Sequence, residues 1–252
     1  MDSHCHLDFP EFDSSRSDII KTCEKNHIKK FVVPGVSQST WHRLPKLKKQ
    51  YSQCEVAFGL HPYFIEEHQT SHLLDLESWL DKYKPVAVGE IGLDFFNKSL
   101  DKKKQRELFS AQLDIASRYL LPVILHVRKA HDEVIQSLKK SKLKNGGVVH
   151  AFNGSLQQAN QYMDHGFKFG FGGALTFDNA THLRALASAL PLNSILLETD
   201  SPDMKPVNYQ EPLNTPLTLL SVLDCFSSLR DEKRSDIADQ VASNTKALFK
   251  FA

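Results

Sequence analysis

The chain has 252 residues, and 31 Lys and Arg nearly balance 30 Asp and Glu for a formal net charge of +1. That length fits one large α/β barrel or two small domains, and it buries a core without disulfides or structural metals. The charge balance gives no electrostatic case for a nucleic-acid or membrane surface, no apolar run is long enough to span a bilayer, and the first residues, with no basic or apolar region, are not expected to be a signal peptide.

The first candidate strand covers 2–7. It contains Asp-Ser-His-Cys-His at 2–6. Extended chain alternates faces, so Asp2, His4 and His6 point one way and Ser3 and Cys5 the other. Two imidazoles one pleat apart can chelate one ion; a pair of surface histidines is the alternative. Further apolar, β-branched runs follow near 30–36, 55–60, 85–92, 122–127, 147–151, 167–173 and 194–199. Such runs suit strands buried on both faces of a parallel sheet.

Helical periodicity fills the intervals. In 101–120, Leu108, Leu113, Ala116 and Leu120 recur at helical spacing beside Phe109 and Ile115, and Lys102 to Lys104 read as a solvated face. Residues 202–216 read as an irregular rim loop, and 213–250 as two helices with Ser243 and Asn244 as a candidate break. About eight βα units predict a single (β/α)8 TIM barrel over 1–252, with the active site at the C-terminal ends of the strands. A doubly wound sheet competes, but no Gly-x-Gly-x-x-Gly follows the first strand. Cys5, Cys23, Cys54 and Cys225 lack C-x-x-C spacing and read as reduced thiols of a cytoplasmic protein.

Polar residues of metal-ligand type gather where strands end. His4 and His6 close the first, Glu90 the fourth, His126 the fifth, His150 the sixth and Asp200 the eighth. One such residue is a candidate core polar group; all of them together are not. They exceed a tetrahedral site of about four ligands and suit two metals ~3.5–4 Å apart sharing a carboxylate.

Asp-Ser-His-Cys-His-Leu-Asp (2–8), Gly-Leu-His-Pro (59–62), Gly-Glu-Ile-Gly-Leu-Asp (89–94), Leu-Pro-Val-Ile-Leu-His-Val-Arg (121–128), Val-His-Ala-Phe (149–152) and Glu-Thr-Asp-Ser-Pro (198–202) occur in order along the chain. In these segments it resembles the TatD family of metal-dependent hydrolases, in the amidohydrolase superfamily. The 154–159 run is closest to the YjjV-like branch. The resemblance implies deoxyribonuclease activity with two divalent ions, of Zn, Mn, Mg, Co or Fe. It implies that His4, His6 and Asp200 hold the first ion, that His126 and His150 hold the second, and that Glu90 bridges them. It also places His61 near the substrate phosphate.

Arg128 is a candidate phosphate partner, with a rim salt bridge as its alternative. The expected reaction is phosphodiester hydrolysis by a metal-bridging hydroxide. Asp200 is the general base, and Glu198 the weaker candidate because it shares Asp200's parity. DNA, attacked from an end, is the expected partner; no protein partner is evident. An amidohydrolase acting on a small carbonyl compound or phosphoester is the second reading, and a non-catalytic metal-binding protein the third. Asp94 and Asp203 read as second-layer groups or loop caps. His27, His42, His68, His72, His131, His165 and His182 are expected to be mostly exposed, and Cys5 to pack rather than coordinate.

Overall fold

Seven of the eight predicted runs become strands in the computed structural model, which describes residues 1–251. They are β1 (Phe31–Pro34), β2 (Cys54–Phe58), β3 (Ala87–Asp94), β4 (Val123–Arg128), β5 (Gly147–Val149), β6 (Phe167–Phe171) and β7 (Ile195–Leu197). The strand order in the sheet is β1-β2-β3-β4-β5-β6-β7. Parallel registers pair Ala57 with Ala87, Val88 with Val123, Ile124 with Val148 and Gly170 with Leu196. Helices occupy the intervals: α1 (Arg16–Lys25), α2 (Arg43–Gln50), α3 (Ser71–Tyr83), α4 (Lys102–Arg118), α5 (His131–Lys140), α6 (Leu156–Asp164) and α7 (Thr181–Ala189). Two more, α8 (Leu219–Ser228) and α9 (Arg234–Phe249), complete the chain. None is long and apolar enough to cross a membrane.

Residues 2–7 do not form the expected strand. Asp2 makes one isolated parallel bridge with Phe31. The segment's hydrogen bonds leave alternately to two sides. Asp2 N and Cys5 N donate to Lys30 O and Val32 O, while Ser3 N and His6 N donate to Leu197 O and Ser201 O, all at 2.8–3.1 Å. The chain is held on both flanks, yet no regular ladder develops. β5 and β7 also end early, and Ala151 and Asp200, shortly beyond them, have φ of 44° and 53°. A left-handed residue cannot continue a strand.

The chain falls into two compact units. The first comprises Met1–Val33, Ala151–Asn153 and the chain from Phe169 onward. Its core includes Phe12, Phe31, Phe152, Phe169 and Phe226. The predicted break in the last helix is absent, since α9 runs through Ser243 and Asn244. Asn244 is buried instead, and its Nδ2 donates to Leu192 O and Ile195 O, both at 2.8 Å. The 202–216 loop is irregular, as predicted. Asn214 anchors it through Nδ2 to Thr199 O (2.9 Å) and Asp203 O (2.7 Å).

The second unit comprises Pro34–His150 and Gly154–Lys168. Trp41, Phe58 and Trp79 pack edge-on or tilted in its core, with centroids 5.3–5.8 Å apart. Asp101 caps α4 by accepting from Lys103 N (2.8 Å) and Lys104 N (3.1 Å). Phe109, Leu113, Ile115 and Ala116 are buried along α4. Leu120 is not part of that face: it is exposed, at φ 53°, beyond the helix end.

Candidate metal centre

In the first unit the irregular N-terminal segment still brings its two histidines together. His4 Nε2 and His6 Nε2 are 3.3 Å apart. Asp200 Oδ1 lies 3.4 Å from His4 Nε2 and 3.6 Å from His6 Nε2. Backbone pairing sets this up, because Asp200 N donates to His4 O at 2.9 Å. His6 also stacks on Phe9, with centroids 4.6 Å apart. The set offers two imidazole nitrogens and a carboxylate oxygen, a donor combination suited to a divalent transition metal.

Asp2, predicted to share the histidines' face, is spent on the backbone. Its Oδ2 accepts from Thr199 Oγ1 (2.6 Å), and its Oδ1 from Thr199 N (3.1 Å) and His4 N (3.2 Å). Burial pushes its carboxyl up to about 7 against those hydrogen bonds. Glu198 is committed too: its Oε1 accepts from Ala151 N at 2.6 Å. The parity argument that paired Glu198 with Asp200 fails because the chain turns left-handed at Asp200. Cys5 is fully buried, with Sγ 3.9 Å from Val32 O.

In the second unit three ring nitrogens converge on one oxygen. Glu90 Oε1 lies 3.1 Å from His61 Nε2, 3.2 Å from His126 Nδ1 and 3.0 Å from His150 Nε2. The donor atoms of His61, Glu90 and His126 all lie within 4.8 Å of one another, close enough to hold one ion. Glu90 sits where the β3–β4 register shifts, between Val88 and Ile91. Irregularities of that kind re-aim a side chain beside a site. Gly92 is required nearby: at φ 147°, a Cβ there would lie 1.9 Å from His126 O.

His61 Nδ1 accepts from Tyr63 N (3.0 Å), so the neutral ring carries its proton on Nε2 and donates it to Glu90. Burial drives its pKa down to about 4, outweighing the Glu90 charge, and the ring is neutral at pH 7. His126 differs. Burial pulls it down, but hydrogen bonds to Asp94 and Glu90 and the Glu90 charge leave it above the ordinary histidine value. A ring flanked by carboxylates at both nitrogens favours a positive charge at Nδ1, and a bound cation supplies one as well as a proton does.

Asp94 takes both roles weighed for it. Oδ2 meets His126 Nε2 at 3.1 Å, while Oδ1 accepts from Phe96 N (2.9 Å) and Asn97 N (3.4 Å). Two buried glutamines of α4 went unnoticed in the sequence. The Gln105 amide holds Asp94 N (2.8 Å) and Asp94 O (3.0 Å), and the Gln112 amide holds Leu60 N (2.8 Å) and Leu60 O (3.1 Å), just before His61. Their seven-residue spacing inside an apolar face was the available signal.

Arg128 closes β4 and is exposed. The alternative weighed for it, a rim salt bridge, is absent: among the described residues no carboxylate pairs with it, and its guanidinium carbon lies 3.8 Å from the Phe96 ring centroid. Asp203 is exposed, with its N–H donating to Asp200 O (3.0 Å). Of the histidines expected at the surface, His131 is buried and bonds Tyr162 Oη at 3.2 Å. His68 is half-buried, with Nε2 3.0 Å from His61 O.

Alternating parallel strands and helices, with histidines and carboxylates gathered where the strands end, define a metal-dependent hydrolase. The chain belongs to the TatD family: the model of the TatD related DNase family matches residues 1–250. It is 39% identical over 251 residues to YjjV of Escherichia coli K12, described as an uncharacterized metal-dependent hydrolase, covering 99% of this chain and 97% of that one. A metal-dependent hydrolase of Haemophilus influenzae, also described as uncharacterized, is 33% identical over 259 residues, with 99% and 98% covered. The crystal structure of E. coli YjjV, a TatD homologue, superposes with a TM-score of 0.96 over 100% of this chain and 98% of that one. An organophosphorus hydrolase from Deinococcus radiodurans shares the fold, with a TM-score of 0.64 at 10% identity over 98% and 91% of the chains.

Proposed function

We propose that the protein is a phosphodiesterase acting on DNA, with two divalent ions per chain. His4, His6 and Asp200 would hold one ion, and Glu90, His126 and His150 the other. The observation that carries the metal reading is the convergence of His61, His126 and His150 on Glu90 Oε1 at 3.0–3.2 Å. More imidazoles meet there than one carboxylate oxygen needs, and ligand-type nitrogens suit Zn, Mn, Co or Fe better than Mg. The family's description as a DNase supports the substrate class.

When bound, the ions lower the pKa of a coordinated water and offset negative charge at phosphorus. The protein groups do the rest. Asp200, partly open to solvent with 15% side-chain exposure, accepts the proton of the attacking water. An oxygen–phosphorus bond forms and the ester bond breaks; the proton on Asp200 is available to the departing oxygen. Neutral His61 has a single N–H, on Nε2, which orients Glu90; a phosphate that took over from Glu90 as its acceptor would receive the same hydrogen bond. Arg128, free of a carboxylate partner, supplies paired N–H donors to a phosphate oxygen.

Attack from a strand end fits a chain of net charge +1, which lacks the charge for a long basic groove. We read the chain as one α/β domain. The four cysteines form no disulfide, which supports a cytoplasmic location. Metal-reconstituted protein should be assayed against a single-stranded DNA ladder, an aryl phosphodiester and a lactone panel. Phosphodiester cleavage with mononucleotides released from the first minutes is expected. Turnover of lactones alone would replace this reading with a small-carbonyl hydrolase.

A further inference from the structure

Phe96 is among the few large apolar side chains left in solvent, with 55% of its surface exposed. It lies two residues beyond the end of β3, and its backbone is tied to the metal centre. Phe96 N donates to Asp94 Oδ1 (2.9 Å), and Asp94 Oδ2 meets His126 Nε2 (3.1 Å). The Arg128 guanidinium stacks on its ring at 3.8 Å. β3 and β4 set that stack, since Asp94 pairs with Arg128 in the parallel register and Phe95 N donates to Arg128 O (2.8 Å).

The neighbouring Phe95 is buried, so its ring is not open to a base, but cations gather over it as well. Lys102 Nζ lies 4.7 Å and the Arg106 guanidinium 5.0 Å from the Phe95 ring centroid. Arg106 is paired with Glu133, but Lys102 and Arg128 have no carboxylate within ion-pair distance among the described residues. Aromatic rings interleaved with unneutralised cations are how proteins hold single-stranded nucleic acid: rings take the flat base, cations take the phosphate. A lone rim arginine that only solvates itself needs no ring beneath it, and an exposed Phe that only packs needs no cation.

Resting on the phosphodiesterase reading, we propose that Phe96 is a substrate-positioning residue: it stacks an unpaired base beside the scissile phosphate and holds the Arg128 guanidinium flat for that phosphate. The substrate is then a nucleotide strand with a splayed base. Preference follows strandedness rather than base identity, because every base has a π-face.

The test measures equilibrium binding and turnover of metal-loaded full-length protein on a short single-stranded oligonucleotide and on the same strand made abasic at the cleaved end. Phe96→Ala should weaken binding of the normal strand about 5- to 150-fold, the range of one base stack. It should change binding of the abasic strand several-fold less. Phe96→Trp should restore normal binding. Equal loss on both strands, or no loss, overturns the stacking role. Binding that responds to Phe96 without cleavage by wild-type protein would instead overturn the phosphodiesterase reading and leave the stack standing.

Discussion

Asp94 Oδ2 lies 3.1 Å from His126 Nε2, on the opposite side of the ring from the nitrogen that faces Glu90. This contact selects the tautomer in which Nδ1 keeps a lone pair for a metal.

Asp94→Ala is therefore expected to weaken metal binding by about 10–100-fold, the usual cost of losing an outer partner of a ligating histidine. Asp94→Asn keeps an acceptor for His126 and should lose less. Competition against a chelator of known affinity checks both, and an unchanged affinity in Asp94→Ala would deny Asp94 this role.

Asp200→Asn should lower turnover by about 10²–10⁴-fold, the usual cost of losing a general base, and added metal should not restore it. His126→Ala should recover in part at high metal, because it acts through ion occupancy. Turnover measured across a metal titration separates them. Recovery of Asp200→Asn to near wild type would make Asp200 a ligand only.

Much of this site was legible because a strand that should stay apolar to its end cannot hide a histidine or a carboxylate. His126 and His150 stood out in runs such as Val-Ile-Leu-His-Val, and helices announced themselves by period, as in α4 with its Asp101 cap. What was not legible depends on contacts distant in sequence. Residues 2–6 looked like a strand because alternation reports side-chain faces, not whether both neighbours allow a ladder. Asn244 looked like a helix break, yet its amide satisfies Leu192 O and Ile195 O some 50 positions earlier. Gln105 and Gln112 owe their roles to backbone partners at Asp94 and Leu60, which local sequence does not reveal.

Stability of the metal-free protein should carry the signature of Asp2. Its folded carboxyl is raised to about 7, against about 3.9 when unfolded. The folded state holds that proton more tightly, so the contribution is complete below about pH 4 and is lost as pH rises through about 7. Asp2→Asn has no proton to lose. Wild type should fall behind it across that window by up to a few kcal/mol, read from urea midpoints between pH 4 and 8. Parallel curves would contradict the burial assigned to this carboxyl.

Thiol chemistry should be nearly silent. Cys5, Cys23 and Cys54 are buried, and burial pushes Cys23 up to about 12. Cys225 is half-buried, its thiol also raised by burial, with Sγ 3.4 Å from Leu175 O. Iodoacetamide at pH 8 should label Cys225 alone and slowly, and all four cysteines after denaturation. Peptide mass spectrometry reads the sites; rapid native labelling of Cys5 would mean that the N-terminal segment is not held as described.

The most direct test of the account is the metal content of the protein equilibrated at saturating Zn or Mn and freed of excess. The two proposed donor sets should give about two ions per chain, falling to about one in His126→Ala. A ceiling of one in the wild type, with the fold intact, would contradict the proposal of two ions per chain.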